Sequence, residues 1–253
     1  MVVARRDELA KLLQLHRYLP LTDLCAQLNI SVATARRDLA VLAHDKVITR
    51  TRGGALVDFN QRFPSFRERQ FRASLAKRQM AVAALKLIKP GTTVFFDAGT
   101  TTYAIAEALT VRPVARVTAV TNNLPVAEML AAVPGMEVQL VGGQYLARQS
   151  VLFGEQARRC LQLWKLDLAF LGAEGMTQAG IWNSQKDVVA FQKTVVARSP
   201  RTVCCLDASK LGREAPEFLL PWADVDLLLT DVTVEQLKAA GIKLAKGQLI
   251  SAN

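Results

Sequence analysis

The sequence predicts an α/β protein in two unequal parts: a small basic N-terminal unit of helices closed by a β-hairpin, and a larger domain built on a mainly parallel sheet. Three observations lead there. Apolar residues make up 51% of the 253-residue chain and charged residues 21%, so a packed core is expected and global disorder is not. Positive charge is concentrated at one end: residues 1–80 hold 15 Lys and Arg against 7 Asp and Glu, and the remaining residues hold 17 against 15. From Lys89 onward, strand-like apolar runs alternate with helix-like runs, the order that yields parallel strands covered by helices.

The N-terminal elements follow in order. Leu9, Leu12, Leu13 and His16 share one side of a helix expected from about Arg5 to Tyr18. Leu19-Pro20-Leu21 interrupts it, and Thr22 or Asp23 is placed to cap a short helix ending near Leu28. Asn29-Ile30-Ser31 makes a turn, with Ser31 as the N-cap of a helix from Val32 to about His44. Val47–Arg52 alternates like a strand, Gly53-Gly54 turns it, and Ala55-Leu56-Val57 returns. Helix, helix, turn, helix and hairpin is the order of a winged helix-turn-helix over residues 1–57.

On the third helix, at about 100° per residue, Val32, Ala35, Leu39 and Leu42 gather on the side that must face the core. Arg37 projects almost opposite, among small residues, with Arg36 at the edge. A face of this shape enters a major groove without steric conflict, Arg37 suiting a guanine edge and Arg36 a phosphate. Arg50 and Arg52 alternate with threonines on the hairpin and suit the DNA backbone or minor groove. The candidate DNA-binding residues are Ser31, Thr34, Arg36, Arg37, Arg50 and Arg52, and the expected partner is a double-stranded DNA operator. Residues 58–80 read as a linker that becomes a helix, with six Lys and Arg and one acid, Glu68, between Gln61 and Met80.

In the larger part, residues 81–253, strands are expected at Thr93–Asp97, Val117–Thr121, Glu137–Val141, Asp167–Leu171, Thr202–Asp207 and Asp226–Thr230. Helices are expected at Thr102–Leu109, Leu124–Ala132, Gln156–Leu163 and Lys186–Ala197. Polar loops end several of these strands, and in an open parallel sheet such loops converge on the ligand crevice. Asp97-Ala98-Gly99-Thr100-Thr101-Thr102 joins a strand to a helix, where free backbone N–H groups and the helix dipole favour an anion. Thr121-Asn122-Asn123, Gly172-Ala173-Glu174-Gly175 and Asp207-Ala208-Ser209-Lys210 end neighbouring strands. Lys210 suits a phosphate or a sugar oxygen, and Asp97 and Asp207 suit hydroxyls or the positioning of Lys210. The four cysteines form no C-x-x-C pair, so neither a metal site nor a disulfide framework is expected. Nor is a cofactor expected. A charged N-terminus and apolar runs short of a membrane span point to a cytoplasmic protein without membrane association.

Ser31-Val32-Ala33-Thr34-Ala35-Arg36-Arg37-Asp38-Leu39, followed by Val47–Arg52 and Gly53-Gly54-Ala55, resembles the N-terminal signature of the DeoR family of bacterial transcriptional regulators. The order D-x-G-T-T, T-N, G-G, G-A-x-G and D-x-S-K in the second part resembles that family's sensor domain. The resemblance implies a fold related to ribose-5-phosphate isomerase and the sugar-phosphate deaminases, with a phosphorylated sugar or similar metabolite as effector. It puts Asp97, Thr100, Thr101, Asn122 and Lys210 at the effector site, shaped by Gly99 and Gly172. Glu174 completes the candidate set. The run Gly180–Gln185 departs from the family's usual G-L-T pattern followed by acidic residues, which leaves the effector's identity open.

The expected function is a non-enzymatic transcriptional regulator. Repression of carbohydrate or related metabolic genes is its expected mode, and a dimer or tetramer its expected assembly. The alternative is an isomerase-like enzyme with an appended DNA-binding domain, in which Glu174 or Asp97 supplies a base and Lys210 an electrophile. Both histidines, His16 and His44, lie in the N-terminal part, which disfavours that alternative.

Overall fold

A computed structural model describes residues 2–16, 18–45, 47–50, 54–57 and 64–252. The N-terminal unit comprises α1 (Val2–His16), β1 (Tyr18–Pro20), α2 (Leu21–Leu28), α3 (Val32–His44), β2 (Ile48–Arg50) and β3 (Gly54–Val57). Leu9, Leu13, Leu19, Leu24, Leu39, Leu42 and Ile48 form its core. The expected winged helix-turn-helix is therefore present, with three local differences. Leu19-Pro20 is a strand that pairs with β3, and proline is tolerated because β1 lies at the sheet edge. The N-cap of α2 is Pro20, without a side-chain cap bond, so neither Thr22 nor Asp23 caps it. Gly54 is a strand residue opposite Pro20, and a Cβ there would stand 2.2 Å from the Leu19 carbonyl oxygen. Glycine is needed at that position for close approach of two strands. The hairpin tip at residues 51–53 lies outside the described residues.

The second part opens with two linked helices, α4 (Phe66–Gln70) and α5 (Ser74–Leu85), and continues with β4 (Thr93–Phe96), α6 (Thr100–Val111), β5 (Thr118–Thr121), α7 (Leu124–Ala131) and β6 (Glu137–Leu140). The hairpin β7 (Gln144–Leu146) and β8 (Val151–Phe153) leads to α8 (Glu155–Gln162) and β9 (Leu168–Gly172). Then come β10 (Gly175–Thr177), β11 (Gly180–Asn183), α9 (Lys186–Arg198), β12 (Thr202–Cys205), β13 (Glu217–Leu220), β14 (Leu227–Thr230), α10 (Val234–Ala239) and β15 (Leu249–Ser251). Seven strands pair in parallel in the order β15-β14-β12-β9-β4-β5-β6. The six strands expected from sequence are all in this sheet, and β15 is the seventh.

Near-continuous apolar strands bury both faces, as parallel sheets require. Phe96 and Phe170 face one layer with Met80, Ala84, Ile105 and Leu130, while Phe95 faces the other with Leu161, Phe191 and Val195. Each of these phenylalanines is at most 1% exposed, and such burial stabilises by about 1.5–3 kcal/mol per side chain. Cys204 and Cys205 alternate between cores. Burial pushes the Cys204 thiol up to about 12 and Cys205 also well above its usual range, which makes both inert as nucleophiles.

The strand order reverses at β4: its successors β5 and β6 lie to one side, and β9, β12, β14 and β15 to the other. Ligand crevices form outside the carboxyl ends of strands at such a switch point. A small antiparallel sheet, β10-β11-β13, packs beside it around Met176, Ile181, Leu219 and Trp222.

Candidate functional site

The candidate DNA-binding residues Ser31, Thr34, Arg36 and Arg37 lie at the start of α3 or on it. Asn29 adopts the left-handed conformation (φ 49°) that ends α2, and the Ser31 hydroxyl accepts the Thr34 N–H at 3.2 Å to start α3. Ser31 also lies 2.9 Å from the Thr34 hydroxyl, so both candidates build the helix start. Ala35, Leu39 and Leu42 are buried as expected, whereas Val32 is 44% exposed, one turn too early to reach the core. Arg36 and Arg37 are exposed, and Arg50 is exposed on β2. Arg52 lies outside the described residues.

Asp38, next to this face, turns inward and is 2% exposed. Arg5 Nε donates to one carboxylate oxygen at 2.6 Å and Arg6 Nε to the other at 2.9 Å. Burial works against the charged carboxylate, but the hydrogen bonds and charges of Arg5 and Arg6 outweigh it and hold Asp38 below the usual range. The pair fixes α3 to α1, so the outward arginines are carried on an anchored helix.

The second site is a crevice at the switch point. Asp97, Gly99, Thr100, Thr101, Gly172, Glu174 and Lys210 all line it, and so do Arg69, Arg72, Lys77, Gln149 and Asn183. Gly99 is the N-cap of α6, and its N–H is taken by Thr102 Oγ1 at 3.1 Å. Thr102 is fully buried and also lies 2.5 Å from the Asp97 carbonyl oxygen. Thr100 and Thr101, each 7% exposed, line the crevice at the first turn of α6, where backbone N–H groups have no partner within the helix. Gly99 and Gly172 stand back to back: a Cβ on either would lie 3.5 Å from the other's Cα. The two glycines bring the ends of β4 and β9 side by side, at a spacing where a side chain would make ordinary contact.

Asp97 is an anchor. Its Oδ1 accepts the Ala98 N–H at 2.8 Å, and its Oδ2 accepts the Gly172 N–H at 3.1 Å and Gln192 Nε2 at 2.7 Å. Asn122 is 3% exposed and also hydrogen-bonds this crevice-lining carboxylate. Burial pushes Asp97 up, and hydrogen bonds from Gln192, Ala98, Gly172 and Asn122 offset this only in part. Lys210 pairs with Glu174 at 3.3 Å; Asp97 does not position it. Asp207 instead accepts the Ser209 N–H at 3.0 Å.

Two sets of residues escaped sequence reasoning. Gln192, fully buried on α9, donates to Asp97 and to the Gly172 carbonyl at 2.6 Å and accepts from Asn183 Nδ2 at 3.0 Å. It ties three crevice loops together, and its place on a helix face gave no signal. Arg69, Arg72 and Lys77 were visible only as basic linker residues. Lys77 is 5% exposed and donates to the Arg69 and Arg72 carbonyls at 2.7 and 2.6 Å. Burial lowers its amine to about 8.

A basic winged helix followed by a parallel-sheet domain with an anion-favouring crevice defines a DNA-binding transcriptional regulator with a metabolite-sensing domain. Residues 5–61 match the DeoR-like helix-turn-helix domain and residues 72–232 the DeoR C terminal sensor domain. The chain belongs to the DeoR family. It is 28% identical over 249 residues to the putative aga operon transcriptional repressor of Escherichia coli O157:H7, covering 95% of this chain and 92% of that protein. It is 31% identical over 227 residues to the glycerol-3-phosphate regulon repressor of Haemophilus influenzae, covering 89% and 88%. Among solved structures, ribose 5-phosphate isomerase A from Neisseria gonorrhoeae overlaps 53% of this chain and 52% of its own at 20% identity and a TM-score of 0.39, a likeness too distant to assign anything to this chain. Among the described residues no helix is long and apolar enough to cross a membrane.

Proposed function

We propose that the protein is a repressor whose crevice binds a phosphorylated sugar or related metabolite and whose α3 enters the major groove of an operator. The division of the chain into a DNA-binding part (1–57), a basic connector (58–80) and a sensing and oligomerising part (81–253) supports this reading. So does the role of the two relatives, both repressors. Arg37 and Arg36 serve the groove and the phosphates, with Arg50 and Arg52 on the wing; a symmetric dimer or tetramer presents paired copies to paired half-sites. Such a protein works in the cytoplasm, beside the DNA it controls.

The observation that carries the effector assignment is the juxtaposition of the Thr100 and Thr101 N–H groups with Lys210 in a crevice whose acids already have partners. Asp97 is held by neutral donors, Glu174 by Lys210 and Asp207 by its own turn. An entering phosphate meets donors and a cation there. Lys210 must exchange Glu174 for the ligand. Regulation then requires that the metabolite bind the DNA-competent and DNA-free states with different affinity.

The test is footprinting of the full chain on its own promoter region with and without a panel of sugar phosphates, alongside a turnover assay. Arg37→Ala is expected to lose specific protection while retaining metabolite binding. Lys210→Ala is expected to protect DNA but to ignore the metabolite. Chemical conversion of a sugar phosphate at enzymatic rates would replace this reading with that of an isomerase-like enzyme. Loss of both activities in either variant without misfolding would remove the division of labour.

A further inference from the structure

The sheet does not make all of the crevice. One wall comes from the α4–α5 segment, which follows the DNA-binding unit in the chain. Arg69 ends α4, the turn at residues 71–73 passes through a left-handed Ala73 (φ 49°), and Lys77 lies on α5. Gln149 meets this wall from the far side: its Oε1 accepts Arg69 Nη2 at 2.9 Å. A second contact, Arg148 to Glu68 at 3.7 Å, joins the short turn Ala147–Gln149, which carries Gln149, to α4.

Gln149 is 2% exposed, and its Nε2 is buried with no hydrogen-bond partner among the described residues. Buried amide donors are nearly always satisfied, so one left open on a cavity wall is a donor held for an acceptor from outside. Its placement is enforced. Ser150 takes the left-handed conformation (φ 55°), and its carbonyl accepts Asn123 Nδ2 at 3.0 Å, while Asn123 Oδ1 caps α7 by accepting the Val126 N–H at 2.9 Å. Lys77 adds a second donor. Two of its three ammonium N–H groups hold the carbonyls of Arg69 and Arg72, which leaves one for the crevice that it lines.

We propose that the anionic group of the effector is bound jointly by the sheet, through the Thr100 and Thr101 N–H groups, and by the α4–α5 wall, through Gln149, Arg69 and Lys77. The inference rests on the reading of the crevice as the effector site and adds how that site is wired to the DNA-binding part. An amide, a guanidinium, an ammonium and two backbone N–H groups are all donors, and the ligand class that satisfies them is an acceptor-only dianion, a phosphate monoester. Such a ligand stitches the chain leaving the DNA-binding unit onto the end of β4. Occupancy of the crevice therefore changes how firmly that segment is held, which is the differential contact that allosteric control needs.

The probes are inorganic phosphate and glycerol 3-phosphate, titrated calorimetrically into the full chain. Gln149→Glu keeps the side-chain size and gives Arg69 a better partner, but sets a carboxylate against the incoming anion. It is expected to weaken binding at least tenfold without lowering the thermal midpoint of the ligand-free protein. The wild type is expected to show ligand-induced slowing of amide hydrogen exchange across residues 66–85, and Lys77→Met to abolish it. If both variants bind the probes as the wild type does while Lys210→Ala does not, the anion rests on the sheet alone; the inference falls and the effector reading survives. If the wild type binds neither probe, both fall together.

Discussion

Asp38 and Asp97 both expose little surface, one in each part of the molecule, but Asp97 lies far deeper, and the two stand on opposite sides of ordinary carboxylate behaviour. Asp38 receives two guanidinium groups and is held below its usual range; Asp97 receives only backbone N–H groups and amides and is pushed above it. The difference teaches what each part is for. In the DNA-reading unit a permanent ion pair fixes the angle at which α3 presents its arginines. In the crevice a carboxylate held by neutral donors, with no counter-cation, ties loops together.

The comparison breaks most visibly at Asp38. Asp38→Ala strips the partner from two guanidiniums. Because Arg5 and Arg6 are 29% and 30% exposed, water recovers part of the loss, and the N-terminal unit is expected to lose stability through the broken α1–α3 tie. Thermal or denaturant unfolding measures it. Asp97→Asn is expected to cost less, about 1–3 kcal/mol, since one N–H now meets an amide that cannot accept it.

Measured against pH, the two sites should diverge. The native Asp38 gives up its proton more readily than the unfolded chain, so its contribution is complete above the ordinary carboxylate range and disappears as pH falls through the lowered native value. Asp97 behaves conversely: the native state keeps its proton to higher pH, so stability falls as pH rises from the ordinary range through the raised native value. Differences in midpoint between wild type and the Asp38→Asn and Asp97→Asn variants should therefore slope in opposite directions; a common slope would dissolve the distinction.

The effect expected at Lys77 is confined to alkaline pH. Desolvation lowers its amine, Asp207 opposes this, and Lys210, Arg69 and Arg72 add to it. The native amine loses its proton from about pH 8, before the unfolded chain does near 10.5, so wild type should gain stability relative to Lys77→Met across that window. Phosphate affinity should fall in the same window as the ammonium disappears. A flat difference curve would show that the amine is not desolvated.

Much of this was legible in the sequence, for identifiable reasons. The turn at Asn29–Ser31, the capped α3 and the six-strand alternation are local patterns, and each was placed within a few residues. The loops of the crevice were legible because strand ends in a parallel sheet share one edge. The strands β1, β10, β11 and β13 were not, because three- or four-residue strands carry too few residues for a period and exist only through distant partners. Glycine at 54 was read as a turn although its cause is the Leu19 backbone. Arg69, Lys77, Gln149 and Gln192 had no motif; the folding of the chain back across β4 brings them together.

The inward pairing of Asp38 also bears on how a polyanion perceives the protein. By composition, Arg36-Arg37-Asp38 carries two positive charges and one negative. The negative one is neutralised beneath the surface within 2.6–2.9 Å by two further arginines, a trio that is itself net positive, while the attraction of a duplex is felt over a screening length of about 8 Å. Counted with its two partners, the patch of Arg5, Arg6, Arg36, Arg37 and Asp38 remains net positive, so the buried acid stiffens α3 while the local field stays attractive to a polyanion.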